Sequence, residues 1–478
     1  MMKRSLLLLC SFLLFTGCAS TASQAETERY TYQSVDTSFV NPLIGYMQNA
    51  EETQPYTEMA LVYIDLTWRE LEPERGIYDW DTIAAKNQLD RWRSEGKHGV
   101  LRFVCDVPGE EAHRDIPDWL YDETGDGMDY DIDYGKGYCP NYANAVFRQE
   151  HHRTLQEIGR YFSENYGDFV AYVELGSLGH WGEWHVKYSA GLPFLPKTEI
   201  RKEYVEAYAK AFPKARLLSR RSYVEMPEGT GIYNDVTGDE EETERLLREL
   251  AEGGASHSMN EEYVLKPLHE IWKTAPVGGE FTSGLPMEEM LSQNMEKTWE
   301  LIEATHPSFL GPKIPDVRAE DGGLSETARK NARRIQNRLG YRYRVSELQI
   351  SNEDNEERLW TGVYKRLTGQ EEAWRRYKQV AITLQNDGLA PMYFDWPVVL
   401  YLVKEDDFTG TKRYPIEGLK LTEISENQSA TSAVQIPAEE LEAENVALYI
   451  GIEDPETGEP AVQLAMDAPE VKRMYRLK

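Results

Sequence analysis

Between about Phe39 and Arg342 the chain repeats one alternation: a short apolar run, then an amphipathic stretch with apolar residues at helical spacing. A short apolar run without polar alternation suits a strand buried on both faces. Such strands need helices to cover them, and parallel neighbours need a crossover to join them. The runs fall at Pro42–Gln48, Met59–Leu66, Val100–Cys105, Phe169–Gly176, Arg216–Arg220, Gly231–Val236, Ala275–Phe281 and Pro307–Gly311. Helices are expected at Thr82–Glu95, Ala143–Asn165, Thr198–Phe212, Glu240–Glu252, Met287–Thr305 and Ser325–Leu339. Eight βα units predict an α/β fold, a (β/α)8 TIM barrel, over residues 36–341.

The period changes after Leu339-Gly340. Tyr343–Ile350, Gln379–Gln385 and Val398–Val403 alternate with period two, and turn signals such as Asn386-Asp387-Gly388 separate them. Residues 342–478 are therefore expected to form an antiparallel β-sandwich. The charged span Asn352–Trp374 reads as a loop plus an edge strand.

The N-terminus reads as an address. Lys3 and Arg4 precede a short apolar stretch, Leu6–Phe15, which ends in Phe15-Thr16-Gly17-Cys18. The stretch is too short to span a bilayer core of about 30 Å. Its ending resembles a bacterial lipobox. Residues 1–18 are expected to be a lipoprotein signal peptide, with Cys18 lipidated and residues 19–35 a tether. Export to the bacterial cell envelope follows, with the membrane engaged through that anchor alone. Cys105 and Cys139 remain in the folded part, free or paired.

A net charge of −30 repels phosphate backbones, so nucleic acid is not an expected partner. Tyrosine (29) and tryptophan (11) are abundant. Aromatics with a polar handle suit sugar clefts, although a large barrel also carries many of them as core.

Barrel active sites lie at the C-terminal ends of the strands, so carboxylates just past strands matter most. Glu183 sits in a glycine-rich turn, Gly179-His180-Trp181-Gly182-Glu183-Trp184, after the fourth strand. Tryptophans beside a carboxyl exclude water and raise its pKa, as a general acid requires. Glu280 follows Gly278-Gly279 at the end of the seventh strand. Two carboxylates across a cleft are the minimal machinery of glycoside hydrolysis. Glu183 is expected to be the acid or acid/base. Glu280 is expected to be the nucleophile or base. Glu174, inside the fourth strand, is expected to pair with an arginine such as Arg102.

Polar and aromatic residues at other strand ends could bind sugar: Asp65 and Trp68 after the second, Arg102 and Asp106 about the third, Arg220, Arg221 and Tyr223 after the fifth, Asn234 and Asp235 after the sixth. The run Asp122–Asp133, with Asp122, Asp126 and Asp133, echoes a calcium loop but lacks its closing glutamate, and a solvated acidic loop is the plainer reading. No other metal, nucleotide or serine-nucleophile motif occurs.

Trp68-Arg69-Glu70-Leu71-Glu72-Pro73-Glu74-Arg75-Gly76-Ile77-Tyr78-Asp79-Trp80 resembles the passage after the second strand of clan A glycoside hydrolases, notably β-galactosidase-like barrels. Pro117-Asp118-Trp119-Leu120 resembles their Pro-x-Trp-Leu loop, which implies a substrate-side place for Trp119. With Gly179–Trp184, Gly231–Asp235, Gly278–Glu280 and Asn386–Pro397, the chain resembles the bacterial family called domain of unknown function 4832. That family pairs a glycosidase-like barrel with a C-terminal sandwich. The Gly-Glu turn is also similar to the acid-bearing loop of β-amylases, which points to Glu183. Gly182 stands where clan A barrels carry asparagine. The resemblance implies a carbohydrate substrate; a glycan-binding lipoprotein without catalysis is the alternative.

Overall fold

The computed structural model describes residues 27–193, 195–256, 263–318, 323–353, 367 and 377–478. The expected signal peptide, Cys18 and most of the Asn352–Trp374 span lie outside the described residues.

Eight parallel strands form the first sheet: β1 (Gly45–Asn49), β2 (Leu61–Thr67), β3 (His98–Val104), β4 (Val170–Glu174), β5 (Arg216–Ser219), β6 (Gly231–Thr237), β7 (Val277–Phe281) and β8 (Phe309–Leu310). They pair in the order β7-β6-β5-β4-β3-β2-β1-β8. Backbone bonds from Ser308 N to Val277 O and from Gly311 N to Gly279 O, each 2.7 Å, join β8 back to β7. The sheet is a barrel, as expected, and each strand coincides with one of the eight apolar runs.

Strand alternation explains why those runs are apolar throughout. In β2, Val62, Ile64 and Leu66 face the helical layer, whereas Leu61 and Tyr63 fill the interior with Val100, Tyr172, Leu218, Tyr233 and Phe309. Two expected helices are each split. Thr82–Glu95 becomes Trp80–Lys86 and Leu89–Ser94. The break falls at Gln88, whose left-handed backbone (φ 49°) lets its side-chain amide reach the carbonyls of Ala50, Glu51 and Glu52. Met287–Thr305 likewise becomes Met287–Leu291 and Met295–Thr305.

The C-terminal part holds two antiparallel sheets. Its main strands are β9 (Tyr343–Glu353), β10 (Tyr377–Asn386), β11 (Val398–Lys404), β12 (Asp407–Pro415), β13 (Ser429–Pro437) and β14 (Val446–Ile452). One sheet runs β9-β10-β13, and the other is built on β12-β11-β14. The expected tether requires one correction. Glu28–Thr31 is a strand, paired antiparallel with Glu347–Ile350 of β9. It covers an edge that would otherwise present bare backbone groups.

The sandwich sits against the N-terminal ends of the barrel strands. Tyr341 donates to Pro42 O at 2.9 Å, Tyr172 to Leu43 O at 2.9 Å, and Arg216 to Tyr393 O. Phe394 stacks edge-on against Tyr172 at 5.6 Å. One apolar cluster runs from Tyr63 and Phe309 in the barrel to Leu400 and Ile450 in the sandwich. The sandwich covers that end of the barrel and leaves the C-terminal end uncovered.

Candidate active site at the barrel mouth

The floor of the mouth is a charged layer set by register. Asp65 of β2 lies opposite Arg102 of β3, and Arg102 opposite Glu174 of β4. All three point inward because Tyr63, Val100 and Tyr172, two residues earlier on each strand, do so. Arg102 donates from Nε and Nη2 to Glu174 Oε2 at 2.8 and 2.6 Å. Its Nη1 reaches the Trp181 carbonyl at 3.3 Å and lies 3.6 Å from Glu183 Oε1. The guanidinium also lies over the rings of Tyr233 (4.8 Å) and Tyr63 (5.5 Å). Burial raises the Glu174 pKa and Arg102 opposes that rise. Glu174 is thus committed to an ion pair rather than open to a ligand.

Glu183 is presented by a turn only glycine permits. Gly182 has φ 72°, and a Cβ there would stand 2.0 Å from Gly176 O. The turn is held from below: His180 Nδ1 meets Asp106 Oδ2 at 3.0 Å, and Tyr130 donates to Asp106 Oδ1 at 2.5 Å. Trp181 N donates to Asp106 O at 2.8 Å. Asp106 and His180 are buried, so they shape the turn and do not face the opening. Glu183 itself is half-buried, with His185 Nε2 3.4 Å from its other oxygen.

Glu280 comes from the opposite side. Gly279 (φ 150°) lies so close to β6 that a Cβ would stand 2.1 Å from Asn234 O. The half-buried Glu280 carboxyl accepts from Lys313 N at 3.3 Å. Burial pushes its pKa up to about 7; Arg102 works against the shift, and the charges of Glu183 and Asp235 add to it. These four groups therefore act on one another across one space. Asp65 is pushed up to about 6, again chiefly by burial. Its own surface is nonetheless exposed. A group enclosed by protein yet reachable by solvent lies at the bottom of an open cleft.

Arg220, after β5, pairs with Asp235 of β6. Tyr134, at the tip of the hairpin Met128–Ile132/Gly135–Cys139, projects over the rim. It packs against Trp181 at 5.3 Å and His185 at 6.0 Å and stays 40% exposed. Sequence reasoning passed over Tyr134; its one signal was an aromatic between Asp133 and Gly135 in a loop after the third strand.

Other expected binding residues lie away from the mouth. Trp68 is fully buried in the helical layer against Phe103 and Phe147, with its indole N–H on Glu72. Trp119 donates to Glu72 O and lies under Arg75 at 4.6 Å. Trp184 is buried, stacked on Tyr223 at 5.3 Å, and donates to Leu175 O; Tyr223 donates back to Trp184 O. Arg221 faces outward to Glu249 at 2.9 Å. Asn234 bonds Thr237 and Thr243 behind β6. Trp68 and Trp119 lie on the short helices Trp68–Leu71 and Asp118–Thr124, and Arg221 and Asn234 alternate to the side opposite Arg220 and Asp235.

The acidic run Asp122–Asp133 is spread over a helix and a hairpin strand. Asp122 belongs to helix Asp118–Thr124, and Asp129 and Asp131 alternate because they lie on a strand. Asp126 is occupied by the amides of Asn141 and Asn144, and Asp133 by Lys187. Among the described residues, no three His, Cys, Asp or Glu side chains converge as metal ligands. Cys105 and Cys139 are buried free thiols. No helix among the described residues is long and apolar enough to cross a membrane.

No family model matches the chain, and no curated protein does. Among solved structures, the chain is similar to a GH30 endoxylanase from Clostridium papyrosolvens C71 (10% identity, 88% of this chain and 98% of that one, TM-score 0.32). It is similar to endo-glycoceramidase II from Rhodococcus sp. (13% identity, 84% and 100%, TM-score 0.35). It is also similar to the β-amylase catalytic domain of Paenibacillus polymyxa (13% identity, 61% and 96%, TM-score 0.38).

Proposed function

We propose that the protein is a glycoside hydrolase that cleaves a poly- or oligosaccharide at the open end of its barrel, with Glu183 and Glu280 as the reacting carboxyls. The observation that carries this reading is their shared mouth, together with the unequal surroundings of the two groups. Burial pushes the Glu280 pKa up to about 7, so about half of it keeps its proton at neutral pH. Glu183 faces the fixed cation Arg102 at 3.6 Å. Pairs of carboxyls whose environments separate them are what acid–base division of labour needs. The raised Glu280 pKa supports Glu280 as the proton donor, with Glu183 beside Arg102 as the second carboxyl, the reverse of the order expected from the glycine-turn motif.

The reading extends to the rest of the chain. Membership of the domain of unknown function 4832 family, and attachment to the bacterial envelope through Cys18, are part of the proposal.

The test is release of reducing ends from a panel of oligosaccharides. Glu183→Gln and Glu280→Gln should each lower kcat by roughly 10²–10⁴-fold while melting as cooperatively as the wild type. Full activity in either variant removes the assignment. Gly182, which offers no side-chain amide beside Glu183, favours a second reading: a mouth that binds glycan without cleaving it. A glycan array with product analysis separates the two, because binding without products supports the second.

A further inference from the structure

The fifth strand ends in two arginines that the structure sends opposite ways. Arg221 turns out to Glu249. Arg220 turns in, two residues after the interior Leu218, and is 6% exposed. Its Nη2 pairs with Asp235, but its Nε and Nη1 are buried and meet no acceptor in the protein. Glu183 and Tyr233 are its other electrostatic neighbours. A buried donor without an acceptor is costly, because it has lost its water and gained nothing in return. Native proteins leave few such groups, and two on one inward guanidinium mark a place where an outside oxygen belongs.

We propose that Arg220 is the sugar-reading donor of the mouth, giving Nε–H and Nη1–H to separate oxygens of a neutral sugar, and that the site selects neutral glycans over uronic ones. This rests on the carbohydrate reading above. In the rigid guanidinium plane these two N–H groups diverge, so each takes its own acceptor. The choice of hydroxyl over carboxylate follows from charge. Asp235 already matches Arg220, and Glu174 already matches Arg102. Asp65 and Glu183 remain in the same mouth, so a uronate would enter among carboxyls in excess. The chain-wide charge of −30 opposes its approach as well.

The experiment compares the wild type with Arg220→Lys, which keeps the charge facing Asp235 but loses the two diverging donors. Substrates are cello-, xylo- and galacto-oligosaccharides against oligogalacturonides of equal length, with binding measured in parallel by calorimetry. We expect KM for a neutral substrate to rise at least tenfold in Arg220→Lys, with kcat changing less. We expect the wild type to process oligogalacturonides at least a hundredfold less well. An unchanged KM overturns the proposal, because the donors then serve only water. So does a wild-type preference for oligogalacturonides that Arg220→Lys abolishes. If the wild type hydrolyses nothing, the hydrolase reading fails, and calorimetry decides this one alone. Neutral oligosaccharides bound tenfold more weakly by Arg220→Lys sustain it; equal binding, or none, removes it.

Discussion

Arg102 and Glu174, neighbours across β3 and β4, form an ion pair in which two guanidinium nitrogens share one carboxylate oxygen at 2.6 and 2.8 Å. The Glu174 side chain is 1% exposed. Arg102 also faces Glu183, so this pair sets both the floor of the mouth and the position of a cation beside a proposed reacting carboxyl.

Breaking that pair from one side leaves a charge buried and unmatched. Arg102→Met is expected to lower unfolding stability by about 3–5 kcal/mol. Glu174→Gln keeps the shape and should cost less. Urea titration of both variants checks this; equal, small losses would show that the pair contributes little.

Stability should depend on pH through Glu280. Its pKa is raised in the folded protein from an ordinary 4.5 to about 7. A raised carboxyl pKa stabilises the fold fully below pH 4.5, and that contribution is lost as pH climbs to about 7. Glu280→Gln, which cannot ionise, should gain on the wild type over that window, by roughly 3 kcal/mol at most. Asp65 acts in the same direction between 3.8 and about 6. If Glu280 donates the proton in catalysis, kcat should also fall as pH rises through about 7. Melting temperatures and pH–rate profiles of the two proteins read both effects.

Gly182→Ala tests the turn. The added Cβ would meet Gly176 O, and φ is already 72°. Loss of about 2 kcal/mol or more is expected, together with a drop in kcat larger than in affinity, because Glu183 is displaced. A variant with normal kinetics would show that Glu183's position does not matter.

Tyr134 is the exposed aromatic at the rim. Tyr134→Ala should weaken glycan binding by about 1 kcal/mol, roughly fivefold, with little change in melting temperature. Calorimetry with an oligosaccharide ligand measures it, and unchanged affinity would place Tyr134 outside the binding surface.

The barrel was legible in the sequence because strands buried on both faces read as unbroken apolar runs, and glycines before Glu183 and Glu280 marked close backbone approaches. What could not be read was which way individual side chains turn. Arg220 and Arg221 differ by one position, and one position reverses the face. Trp68 and Trp184 carry the same chemistry in a core as in a cleft, and only packing against Phe147 or Tyr223 distinguishes them. The Glu28–Thr31 strand was hidden for another reason: its partner lies more than 300 residues away, beyond any local pattern.

That distant pairing has a consequence for synthesis. Glu28–Thr31 must wait for β9, and Glu28 also meets Lys478. The cover over the N-terminal ends of the barrel strands is supplied by the same late segment. A nascent chain therefore carries an unfinished base and an unpaired Glu28–Thr31 until β9 is made, and refolding should be governed by this late closure rather than by the barrel itself.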